Sequence, residues 1–241
     1  MTNIHFVTYA THETGMFRKL IDNKFSVEIK VLGMGTKWNG FMDKIRGVNE
    51  YSTKVAEKSE KDIIVFIDGF DTIIGKNVNS LIEKFQKYNC DILVSEEPRI
   101  KYISQKLFGN YPTIANSGMY MGYAKNIKRM TDLILERETK DDQEALNFCI
   151  NTFNDELNAR IDTEKEIFYN NPFISIFCSK NEPKCYFKSY PGGNNNTLSY
   201  RLFRLRRAVW DYYPYFKVEL FSLLIIILLI VAITKKCRVV K

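Results

Sequence analysis

The chain has 241 residues, 45% of them hydrophobic and 26% charged, with a formal net charge of +7. That is enough apolar content for a buried core and enough length for one domain with attachments. Five scattered cysteines with no CxxC pair argue against a disulfide framework or a zinc site and suit reduced thiols.

The body of the chain alternates short apolar runs with helical patterns. Residues 4–8 read as a strand, 13–21 as a helix, and 27–32 as a second strand that ends in Gly33-Met34-Gly35. A polar helix is expected over 44–58. The run Ile63-Ile64-Val65-Phe66-Ile67 has the unbroken apolar character of a strand covered on both faces. Next come an amphipathic helix over 78–87, a strand over 91–95 and a long connection over 96–112 that carries two prolines. A strand over 117–123 and helices over 127–138 and 143–151 complete the pattern. Strands alternating with helices predict an α/β fold: a doubly wound, mostly parallel sheet with helices on both faces. The Gly192-Gly193-Asn194-Asn195-Asn196 stretch, with a lone Asn195-Asn196-Thr197 glycosylation sequon, marks the end of the globular body.

Residues 218–234 (VELFSLLIIILLIVAIT) carry a single charge, Glu219. They are near the lower length limit for a membrane-spanning helix. Aromatic residues 210–216 and the arginines 201, 204, 206 and 207 precede them, and Lys235, Lys236, Arg238 and Lys241 follow. This placement of charge favours an anionic lipid bilayer over nucleic acid as the basic partner. The expected organisation is a catalytic domain over 1–198, a basic and aromatic juxtamembrane segment over 199–217, a transmembrane helix over 218–234 and a short basic tail over 235–241. Met1–Glu13 lack the pattern of a signal peptide, so the expected location is a membrane, crossed once, with the domain on the cytosolic side.

Ligands in a doubly wound sheet bind beyond the carboxyl ends of the strands. There the sequence places Asp68 and Asp71, three positions apart around Gly69. Their oxygens suit a hard divalent ion, Mn²⁺ or Mg²⁺, bridging to a diphosphate. The same pair also fits a capping Asp followed by a turn Asp.

Several segments together resemble the glycosyltransferase domain of procollagen lysyl hydroxylases and, more distantly, the procollagen galactosyltransferases. They are Val7 to Thr11, Val31 to Gly35 with Trp38, Phe66 to Asp71, Ile92 to Pro98, Asn116-Ser117-Gly118 with Gly122-Tyr123, Asp141-Asp142-Gln143, and Ile167-Phe168, in that order. The resemblance implies a GT-A-like fold and a UDP-hexose donor, glucose or galactose. It also implies a protein or glycan acceptor, with hydroxylysine on collagen-like protein the leading suggestion. Thr8, Ala10 and Thr11 would line the uridine edge. Trp38 and Lys44 would cover the nucleotide and its phosphates, although a loop aromatic packed on the core and a solvated helix lysine remain open. Phe70 would flank the nucleotide. Asn116, Ser117 and Gly118 would lie against the sugar, or form a plain turn. Asp141, Asp142 and Gln143 would sit near donor sugar and acceptor, with Asp142 the foremost catalytic carboxylate, or simply cap a helix. Asp68 and Asp71 would hold the metal. The histidine that the family supplies as a third ligand is missing: the chain has only His5 and His12, and Ser189 or Tyr190 stands in the comparable stretch. A catalytically silent, nucleotide-sugar-binding scaffold is the alternative that this departure supports.

Overall fold

The computed structural model describes residues 2–99, 101–172 and 182–191, and 202, 205, 206, 209, 213 and 216–230 of the C-terminal stretch. It divides into two compact units, 1–194 and 195–241.

The first unit is built on a six-stranded sheet in the order β2-β1-β3-β6-β5-β7. Its strands are β1 (Ile4–Tyr9), β2 (Ile29–Leu32), β3 (Ile63–Ile67), β5 (Ile92–Glu96), β6 (Ala115–Tyr123) and β7 (Ala159–Asp162). Strand β1 lies parallel to both β2 and β3, and β5 is parallel to β7. Strand β6 runs antiparallel to β3 and β5 between them. The expected doubly wound sheet is therefore parallel-rich but mixed. The reversal has a local cause: α4 (Lys101–Phe108) sits inside the proline-bearing connection, and the chain re-enters the sheet at the end where it left, with Ala115 opposite Glu96, so β6 runs back against β5.

Strand pleating sends alternate side chains to opposite faces, so β3 feeds two cores. Ile64 and Phe66 join Val7, Ile92 and Tyr120 beneath α2 (Met42–Ala56), α5 (Ala124–Glu136) and α6 (Asp142–Thr152). Ile63, Val65 and Ile67 join Leu93, Met119 and Met121 on the other face. That face is covered by α1 (Phe17–Ile21), α3 (Leu81–Gln86) and a small sheet in the order β4-β9-β8 (Thr72–Ile74, Phe187–Ser189 and Phe168–Asn170). A short helix, α7 (Asn154–Leu157), leads into β7. Helices on both faces are as expected.

Because β2 and β3 flank β1 on opposite sides, the chain leaves the sheet in opposite directions after β1 and after β2. The crevice between the carboxyl ends of β1 and β3 is thus the topological switch point. Thr8 and Asp68 lie at its two lips.

Cys90, Cys149 and Cys185 are free and buried, as expected for reduced thiols. Burial pushes the Cys90 thiol up to about 12 and those of Cys149 and Cys185 to about 11. Cys178 and Cys237 lie outside the described residues.

In the second unit, residues 216–230 are helical and 217–230 are exposed. No helix among the described residues is long and apolar enough to cross a membrane. Residues 231–234 of the expected span, the 235–241 tail, the 192–196 loop with its sequon, and Arg201, Arg204 and Arg207 lie outside the described residues.

Candidate active site

Strand β3 ends where Asp68 begins. The Asp68 backbone N–H donates to Gly118 O at 2.8 Å, continuing the ladder to β6 for one more residue. The Asp68 Oδ1 then accepts from the Phe70 N–H at 3.1 Å, a local turn that folds the chain over Gly69 and swings Asp71 back. Asp71 opens β4. Its Oδ1 accepts from Thr72 Oγ1 at 3.2 Å and from Ser189 Oγ at 3.1 Å, and its carbonyl accepts the Tyr190 N–H at 2.7 Å.

The two alternatives at the end of the chain's globular part are thereby separated. Ser189, paired with Thr72 in the β4–β9 ladder, faces the carboxylate. The Tyr190 hydroxyl instead donates to Glu182.

Burial, and after it the neighbouring Asp68 carboxylate, push the Asp71 carboxyl up to about 7; the bonds from Ser189 and Thr72 and the charge of Lys44 act in the opposite direction. A carboxylate held up by a second carboxylate is a place where a cation is favoured. The set available is two carboxylates and a hydroxyl, all oxygen, which fits Mg²⁺ or Mn²⁺ better than a softer ion. Among the described residues no group of three or more His, Cys, Asp or Glu side chains is placed to hold a metal.

Lys44 belongs to the first turn of α2 and is only 7% exposed. Its Nζ lies 2.7 Å from Asp142 Oδ2 and donates to Ser117 Oγ at 3.4 Å. Burial pulls its pKa down, but Asp142, Asp68 and Asp71 outweigh this and the net shift is upward. Lys44 is therefore a buried, charged residue at the junction of three carboxylates, not the solvated helix lysine that its spacing also allowed.

Asp141 and Asp142 have different surroundings. Asp141 caps α6, its Oδ1 accepting the N–H groups of Gln143 and Glu144 at 2.9 Å each. Asp142, 4% exposed, turns inward to Lys44. Gln143 Nε2 donates to Glu97 Oε2 at 2.6 Å, and Asn116 Nδ2 reaches the same oxygen at 3.0 Å and Gln143 Oε1 at 3.3 Å. Asn116 Oδ1 accepts the Gly118 N–H at 2.9 Å; Asn116-Ser117-Gly118, expected as a turn, lies within β6, at the irregularity where the β5–β6 register shifts.

Glu97, 6% exposed and also bonded to Arg99 through its other oxygen, holds these two amides and was assigned no role from sequence. Its position was the available signal: it is one of the polar residues directly after a buried strand.

At the first lip, Thr8 and Ala10 are fully buried, and Thr8 Oγ1 has no hydrogen-bond partner. The Ala10 N–H donates to Leu32 O at 3.0 Å, and Thr11 O accepts from the Gly35 N–H at 2.9 Å. This ties the end of β1 to the loop after β2. That loop presents Trp38, 41% exposed, with its ring 6.0 Å from Tyr9 and 5.9 Å from Phe41. Trp38 is therefore a half-exposed loop aromatic resting on Tyr9, which in turn packs against the core. Phe70 packs with the ring of His12 at 5.5 Å.

Comparison with known proteins shows the family and the fold. Residues 1–174 match the family described as the PLOD GT domain. The multifunctional procollagen lysine hydroxylase and glycosyltransferase of Caenorhabditis elegans is 28% identical over 184 residues, covering 68% of this chain and 25% of that protein. Procollagen-lysine,2-oxoglutarate 5-dioxygenase 1 of Rattus norvegicus is 28% identical over 189 residues, covering 70% of this chain and 25% of its own length. The chain thus spans about a quarter of these relatives. Among solved structures, a glycosyltransferase involved in the glycosylation of the major capsid of PBCV-1 shares the fold with a TM-score of 0.53 at 10% identity, over 80% of this chain and 94% of that one. The fold is GT-A-like, and the chain belongs to the PLOD GT domain family of glycosyltransferase domains.

Proposed function

We propose that this domain transfers a hexose, glucose or galactose, from a UDP-sugar to an acceptor hydroxyl in a reaction that requires Mn²⁺ or Mg²⁺. The observation that carries the reading is the placement of Lys44 between Asp142 and the Asp68–Asp71 pair at the β1–β3 switch point. Asp68 and Asp71, with the Ser189 hydroxyl, are the residues that would hold the ion. When bound, the ion supplies charge neutralisation for the departing diphosphate.

The chain's own residues do the rest. Lys44 places a positive charge beside the phosphates in a site sheltered from water, where it acts more strongly than in solution. Trp38 and Phe70 offer ring faces to the base, and Thr8 offers a hydroxyl with no partner of its own. Asn116 and Gln143, held by Glu97, orient the sugar hydroxyls. Asp142 orients the acceptor hydroxyl or steadies positive charge on the sugar ring. The acceptor is a protein or glycan hydroxyl, with hydroxylysine on collagen-like protein suggested by the named relatives. We further propose that residues 218–234 insert into lipid, supported by the uniformly exposed apolar side chains of the helix over 217–230.

One observation favours a second reading, a silent donor-binding domain: Ser189, a weak ligand, stands where the resemblance expects an imidazole. The experiment is to incubate the full chain with UDP-glucose or UDP-galactose, Mn²⁺ and a hydroxylysine-bearing collagen-like peptide, and to follow the sugar. Glycosylated peptide is the expected result. Free sugar alone would indicate hydrolysis, and neither product would leave the silent domain.

A further inference from the structure

The Lys44–Asp142 pair poses a conflict that the proposed reaction must resolve. Asp142 is 4% exposed and Lys44 is 7% exposed, and their charged atoms are 2.7 Å apart. The remaining contacts of the ammonium are weak by comparison: Ser117 Oγ at 3.4 Å and the Phe41 ring at 5.8 Å. An ammonium bound to a carboxylate has much of its positive charge already spent, and a carboxylate in the same pair is a poor acceptor for an incoming hydroxyl. Both groups are thus masked by each other, while the proposed chemistry needs both free.

We infer that Lys44 exchanges partners, leaving Asp142 for the diphosphate of the donor, so that donor binding unmasks Asp142 for the acceptor. This rests on the reading of the site as a UDP-sugar site and adds to it a change of partner for Lys44.

The physical grounds are three. A diphosphate carries more charge than a carboxylate and offers several acceptor oxygens, so it competes for a compact, flexible ammonium on a four-carbon stem. The pair is anchored on two separate elements, Lys44 on α2 and Asp142 on α6, so neither backbone need move when they part. Asp142 does not depend on Lys44 for its place, because the preceding Asp141 fixes the start of α6 through its two capping bonds. The unpaired Asp142 would lie at a helix N-terminus, where a carboxylate is favoured.

Competition of this kind has a thermodynamic signature: the pair opposes donor binding, so abolishing it helps the donor. The test is calorimetric binding of UDP, in the presence of Mn²⁺, to the full chain and to its Asp142→Asn and Asp141→Asn variants, with uridine as the phosphate-free control. Asp142→Asn is expected to tighten UDP by about tenfold, on the scale of a sheltered ion pair, with uridine unchanged. Asp141→Asn removes the same charge one residue away but not the pair, and should leave UDP within about twofold, on the scale of an exposed charge. Asp142→Ser provides a second uncharged residue at this helix start should Asn disturb folding, and the same tightening is expected of it. Unchanged UDP affinity in both Asp142 variants, or equal tightening in Asp141→Asn, would overturn the exchange while leaving the donor site intact. Failure of every protein, the unaltered chain included, to bind UDP would instead remove the donor-site reading and the exchange with it.

Discussion

At Gly69 an added methyl would lie 2.9 Å from Thr8 Oγ1 and 3.2 Å from Tyr9 O, so the turn that carries Asp68 and Asp71 packs directly on the end of β1. That close approach explains why the two carboxylates sit where they do, and the glycine between them was the visible sign of it in the sequence. The charge state of Asp71 was not visible, because it arises from burial and from the facing Asp68, both products of tertiary structure. With its folded pKa raised to about 7, Asp71 binds its proton more tightly in the folded protein than in the unfolded chain. The stability this brings is present in full below the unfolded value, about 3.9, and is lost as pH rises through about 7. Asp71→Asn cannot ionise. Its melting temperature should exceed that of the unaltered protein at pH 8 and match it near pH 4, while metal-dependent transfer is lost at both. A variant that melts lower at pH 8 would contradict this account of the site.

Elements with a strong periodic signal were legible, and those without one were not. Residues 63–67 read as a strand buried on both faces, and their alternate side chains do feed two separate cores. Strands β4, β8 and β9 have three residues each, too few to show a period, yet β9 is what brings Ser189 to Asp71. Helix α4 was hidden by the prolines at 98 and 112 that bracket it, and with it the reversal of β6. The start of α6 was read as either a cap or a site; Asp141 is the cap, and Asp142 turns inward to Lys44. Asp141→Ala, which removes the cap, should cost about 1 kcal/mol in urea unfolding. Because the cap also sets the position of Asp142, transfer should fall by more than that loss of stability explains. Unchanged stability with unchanged transfer would mean that α6 needs no cap to hold its place.

On the scale of the molecule, the body of the chain and its C-terminal stretch raise different questions. The body belongs to a known glycosyltransferase-domain family, and its candidate site lies at the switch point that the strand order creates. The C-terminal stretch offers a helix over 216–230 whose residues 217–230 are exposed and mostly apolar. Large contiguous apolar surface of this kind marks a lipid or protein contact. The full chain should sediment with anionic liposomes, and a chain ending at residue 194, the limit of the first unit, should remain in the supernatant. Sedimentation of the shortened chain would place the lipid contact in the body instead.

The central claim is that the Asp68–Asp71 turn is the metal-dependent donor site of a sugar transferase. The measurement that tests it most directly is UDP release from UDP-glucose and UDP-galactose by the full chain, with Mn²⁺ or with EDTA, beside a double Asp68→Ala, Asp71→Ala variant. The account predicts release from at least one sugar with Mn²⁺, loss of that release with EDTA, and none from the variant. Release that persists in EDTA or in the double variant, or none from the unaltered chain with either sugar, would contradict it.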